Sequence, residues 1–175
     1  MSREKDSEVK YDFVGGPGYV GTYYGADLDG NPNDVIHGHW APNHGTMTEI
    51  RVTKLDNTAF DLNYFILASN TQVGGGDSTG LEDAYITASN GFSQKLPSDG
   101  WGFHRGTNPQ IYLDSNFDNI TSFSFTVAND VYCFGMDEFY IDEQAPPRVP
   151  EPATYLLLGS LAAGLFGFTN LRKKK

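Results

Sequence analysis

Between residues 48 and 55 apolar and polar side chains alternate: Ile50 and Val52 stand against Glu49, Arg51 and Thr53. Residues 121–127 repeat the pattern, with Phe123, Phe125 and Val127 against Ser122, Ser124 and Thr126. A period of two marks a strand with one face buried. Further stretches of strand character run over 9–14, 19–24, 34–40, 60–68, 84–88, 111–114 and 132–141. Clusters with strong turn chemistry lie among them, including Asp29-Gly30-Asn31, Gly74-Gly75-Gly76-Asp77, Asn90-Gly91 and Asp99-Gly100. No stretch before residue 150 keeps a helical period over twelve residues, and no internal repeat is visible. Roughly nine short strands at this spacing predict an all-β fold, an antiparallel β-sandwich or jelly roll, over residues 9–143. Residues 1–8 read as a disordered N-terminus.

The pattern changes near the C-terminus. Residues 144–152, Gln-Ala-Pro-Pro-Arg-Val-Pro-Glu-Pro, hold four prolines in nine positions and predict an extended linker. Residues 153–171 are nineteen positions without a charge. As a helix they would span about 28 Å at ~1.5 Å per residue, close to a hydrocarbon core of about 30 Å. They have no polar face at helical period, so a transmembrane helix is predicted rather than a helix packed on the body. Arg172, Lys173, Lys174 and Lys175 follow and mark residues 172–175 as a cytoplasmic tail under the positive-inside rule. The body then lies on the outer side of the membrane.

Charge separates the two parts. The 175 residues carry 22 acidic and 12 basic side chains, a net charge of −10. Without the four terminal bases, 8 basic side chains face 22 acidic ones, giving −14. Such a body is a poor partner for nucleic acid, which is bound through basic patches. Its length suits one domain with a core large enough to fold without staples. A single cysteine, Cys133, excludes an internal disulfide and any cysteine-rich zinc site. It stands in the apolar run Val131-Tyr132-Cys133-Phe134 and reads as a buried structural thiol.

Val149-Pro150-Glu151-Pro152, then a short apolar helix, then a terminal basic cluster together resemble the PEP-CTERM protein-sorting signal, over residues 149–175. The resemblance implies recognition of Pro150, Glu151 and Pro152 by an exosortase, a membrane-embedded cysteine protease or transpeptidase of Gram-negative bacteria. It implies removal of the tail and delivery of the body to the cell surface or extracellular matrix, commonly linked to exopolysaccharide or biofilm. It also implies a secretory signal peptide. The opening residues Met1-Ser-Arg-Glu-Lys-Asp-Ser-Glu-Val9 contain no apolar h-region, so that signal is expected upstream of this chain, the alternative being a protein that stays inside with a vestigial tail. The body resembles, more loosely, the galactose-binding-type jelly rolls of such proteins. The similar pieces are Phe60-Asp61-Leu62, Gly80-Leu81-Glu82-Asp83 and Met136-Asp137-Glu138-Phe139.

Three kinds of chemistry are conceivable in the body. Asp27, Asp29, Asn31 and Asp34 place oxygen ligands at close spacing, as a structural calcium would require, although Pro32 and Gly38 exclude an EF-hand. A separate calcium site would join Asp12 on the first strand to Asp137 and Glu138 on the last, if those strands pair. His37 and His39 share one strand face and could hold a transition metal, with His44 or Asp34 as third ligand. Trp40, Trp101, His104 and Arg105 are candidates for stacking on and bonding to a sugar. No Gly-x-Ser-x-Gly, P-loop or HExxH motif occurs, and no carboxylate pair is singled out by context. The chain is therefore expected not to be an enzyme. The expectation is an exported structural or adhesive protein, with an exosortase, the membrane and polysaccharide as partners. A carbohydrate-binding module displayed by the same tail is the alternative, and a secreted hydrolase a distant third.

Overall fold

A computed structural model describes residues 9–21, 35–41, 44–71, 78–98, 108–129 and 131–148. The chain divides into two compact units, Met1–Ala145 and Pro146–Lys175. The described strands are β1 (Val9–Val14), β2 (Gly18–Gly21), β3 (Val35–His39), β4 (Glu49–Lys54) and β5 (Leu62–Thr71). They continue as β6 (Asp83–Ala88), β7 (Ser93–Lys95), β8 (Gln110–Tyr112), β9 (Ser122–Asn129) and β10 (Cys133–Ile141). One 3₁₀ turn, Ser115–Phe117, is capped by Asp114, whose side chain accepts from the Asn116 amide.

These strands form two antiparallel sheets, in the orders β1-β4-β9-β6-β7 and β2-β3-β10-β5-β8. The body is thus all-β, as the alternation predicts. On β4, Ile50 and Val52 are buried while Arg51 is exposed, and on β9 Phe123 and Phe125 are buried. Their rings meet those of the other sheet: Phe125 lies 5.3 Å from Phe65 and 5.4 Å from Phe134, centroid to centroid. Phe123 likewise lies 5.3 Å from Phe139. The two sheets therefore share one aromatic-rich core, with ring pairs at the spacing that favours edge-to-face and tilted contact.

Two expectations are corrected. The strand β7, Ser93-Gln94-Lys95, has no apolar alternation to announce it. It pairs with β6 across the Asn90-Gly91 turn, where Gly91 has φ +90°. Its register is set by that turn and not by a buried face. The first and last strands do not pair: β1 is an edge strand bonded to β4, whereas β10 lies inside the other sheet between β3 and β5. Among the described residues no helix is long and apolar enough to cross a membrane, and residues 153–171 lie outside that set.

Among the described residues Glu82 is the one charged side chain buried in the body, and it is fully enclosed. Its carboxylate accepts from the Thr79 amide at 3.0 Å to each oxygen, from the Thr79 hydroxyl at 3.0 Å and from the Gly80 amide at 3.1 Å. A buried charge is tolerable only when bonded this fully. The Gly80-Leu81-Glu82-Asp83 motif thus folds a turn onto its own carboxylate at the start of β6.

Candidate functional site

The tail begins at the last described positions. Gln144–Arg148 follow β10 without regular structure, as a proline-rich segment should. Val149, Pro150, Glu151, Pro152 and the basic residues 172–175 lie outside the described residues. So do Asp27, Asp29, Asn31 and Asp34 of the first calcium candidate, and Trp101, His104 and Arg105 of the sugar candidate.

The remaining predicted residues are placed by the two sheets, and several are placed apart. Asp12 is on β1 and pairs with Lys10 at 2.7 Å on the strand surface. Asp137 and Glu138 are on β10 in the other sheet, at an irregularity where Glu138 takes φ +52°. Asp137 accepts from the Glu138 amide at 2.8 Å. The strand pairing that would have joined the three is absent, because the topology separates first and last strands by sheet. Trp40 is fully enclosed, with its ring 5.8 Å from that of Phe134. A side chain with no exposed surface has no face for a sugar, so Trp40 belongs to the core. Its Nε1 finds no acceptor among the described residues.

The sequence links His37 and His39, with His44 or Asp34 as third ligand. The structure brings His39 and His44 together with Cys133, and Asp34 lies outside the described residues. Alternation on β3 sends Ile36, Gly38 and Trp40 toward the core and Val35, His37 and His39 to the opposite face. In the antiparallel ladder His39 faces Cys133 directly, and His37 faces Gly135 and Tyr19. Directly opposed residues share a face with close Cβ atoms. The Cys133 thiol accordingly lies 3.7 Å from Nδ1 of His39.

The loop after β3 brings in His44. The Trp40 carbonyl accepts from the amides of His44 at 3.1 Å and Gly45 at 2.9 Å, while the Ala41 amide donates to the Met47 carbonyl at 3.0 Å. The chain is folded back over the end of β3, and only glycine fits at position 45: a Cβ there would stand 2.8 Å from Cβ of His39 and collide with its carbonyl. The rings of His39 and His44 come to 4.5 Å between centroids, nearly edge to face. One ligand atom each from His39, His44 and Cys133 all lie within 4.8 Å of one another.

The neighbours of this cluster are aromatic. Tyr19 stacks on His37 at 5.4 Å and meets His39 edge-on at 6.3 Å, and Tyr132 lies parallel to His44 at 6.2 Å. Cys133 is buried with Val35 and Ala68, His39 is half-buried and His44 is exposed. Burial, then the neighbouring His39, holds the His37 pKa below its ordinary value; burial, then the neighbouring His44, does the same for His39. Both shifts favour the neutral imidazole, the state in which a ring nitrogen can accept a proton or a metal. The signal for Cys133 could not be read from the sequence, since it stands 94 residues from His39 and only the β3–β10 register joins them.

Comparison with known proteins bears on the tail. Residues 148–175 match the PEP-CTERM protein-sorting motif. That motif supports an exported protein sorted by an exosortase to the cell surface or beyond it. No curated protein matches the chain.

Proposed function

We propose that this chain is an exosortase substrate whose β-sandwich body, a jelly roll of galactose-binding type, serves a structural or adhesive, non-catalytic role in the cell envelope or exopolysaccharide matrix. The observation that carries the sorting part is the PEP-CTERM match over residues 148–175. In this reading residues 153–171 span the membrane during export and Arg172–Lys175 hold the cytoplasmic side. The exosortase recognises Pro150, Glu151 and Pro152 in the proline-rich stretch that precedes residues 153–171 in the sequence. A carbohydrate-binding role for the same body rests on Trp101, His104 and Arg105, since Trp40 is enclosed. A structural calcium on Asp27, Asp29, Asn31 and Asp34 belongs to this reading as well.

The test is the intact mass of the mature protein, recovered from envelope and medium fractions of a host with an active exosortase. The wild-type chain should lose the apolar helix and basic tail. Replacement of Pro150, Glu151 and Pro152 by alanine should leave the tail attached and the protein in the membrane fraction. Normal processing of that triple variant would refute the sorting reading.

A further inference from the structure

We infer that His39, His44 and Cys133 form a binding site for a divalent transition-metal ion of the Zn²⁺ class, with three protein ligands and a fourth position open to solvent. The donor set is two imidazole nitrogens and one thiolate sulfur, the borderline-soft combination that such ions prefer over oxygen. The spacing already suits the ion. With metal–nitrogen bonds of about 2.1 Å and a metal–sulfur bond of about 2.3 Å, a tetrahedral angle puts nitrogen and sulfur about 3.6 Å apart. Nδ1 of His39 and the Cys133 sulfur stand 3.7 Å apart, and all three ligand atoms lie within 4.8 Å of one another. Closing the set to bonding distance needs shifts of side chains more than of backbone.

The scaffold supplies the precision. His39 and Cys133 are fixed as direct partners on adjacent strands. His44 is fixed by a loop whose two amides share the Trp40 carbonyl and whose Gly45 passes against His39. The buried thiol forms the floor of the site, and the exposed His44 is its entrance. On binding, the thiol loses its proton to water as the metal–sulfur bond forms, because a coordinated thiol is held as thiolate. The bound ion would tie β3, the following loop and β10 together in a chain whose single cysteine cannot form an internal disulfide.

The experiment titrates the reduced, metal-free, untagged chain with Co²⁺ and follows absorbance, then displaces Co²⁺ with Zn²⁺. Expected are one equivalent bound, a thiolate-to-cobalt charge-transfer band, the intense visible bands of tetrahedral Co²⁺, and a rise in Tm with Zn²⁺. Cys133→Ser should abolish the charge-transfer band. His44→Ala, at an exposed position that should fold normally, should weaken binding at least about 100-fold, since loss of an outer partner alone costs 10–100-fold. His37→Gln should keep the band. Absence of a stoichiometric band in the wild-type chain would leave the 3.7 Å pair as a thiol–imidazole hydrogen bond and overturn the site. A band unchanged in His44→Ala, or lost equally in His37→Gln, would overturn the ligand set.

Discussion

Glu82 offers the sharpest test of how the body is held. Its carboxylate has no exposed surface and receives three donors, two of them from Thr79 and one from Gly80. Hydrogen bonds to a charged group contribute about 1.5–3 kcal/mol each, and Thr79 and Gly80 are themselves exposed, so water reaches the donors that truncation frees. The terms do not add fully, because truncation also removes the cost of burying a charge. The Gly80 amide in addition donates to the Ser98 carbonyl, so it keeps an acceptor when Glu82 is lost. Glu82→Ala should therefore lose about 3–4 kcal/mol, near the net worth of the two Thr79 bonds to the carboxylate. Glu82→Gln keeps the shape but turns an NH₂ toward one of the donors, and should lose about 1–3 kcal/mol. Urea unfolding of the purified chain measures both. With a slope of about 2 kcal/mol per molar, the alanine variant should shift the midpoint down by about 1.5–2 M. A double-mutant cycle with Thr79→Ala should show coupling of about 1 kcal/mol or more through the hydroxyl. Both Glu82 variants within about 0.5 kcal/mol of wild type, the range of ordinary surface changes, would refute the argument.

Two further outcomes follow from the structure. Trp40→Ala should lose about 3–5 kcal/mol by thermal or urea unfolding, because the ring is fully enclosed against Phe134; a smaller loss than 1 kcal/mol would return Trp40 to the surface. Asp56 is held below its ordinary pKa, chiefly by the Thr58 amide and then by the Thr58 hydroxyl. A lowered folded-state pKa gives stability that is present above about pH 4, the unfolded value, and is lost as pH falls through the folded one. Asp56→Ala should thus be less stable than wild type at pH 7 and converge with it in strong acid, read by urea unfolding at both ends; a gap that persists or widens in acid would refute this.

The sequence by itself determined the all-β class of the body. A period of two is visible wherever one strand face meets a core, as at Ile50 and Val52 or Phe123 and Phe125, because each residue's burial is written in its own type. The sorting motif is legible for the same reason: proline tetrad, apolar run and basic end are contiguous, so spacing along the chain is spacing in the mature signal. Tertiary structure decided everything that depends on which strand lies beside which. The short polar β7 is set by its turn, and β1 and β10 fall into different sheets, so Asp12 and Asp137 stand on strands that do not pair. Trp40 is a sugar-stacking candidate by residue type, yet the β3 alternation turns it inward. Cys133 and His39 meet across 94 residues by register alone, and His44 joins them through backbone bonds to Trp40. Long-range pairing leaves no local trace, because register is chosen by the summed burial of whole strands and not by the residues that happen to meet there.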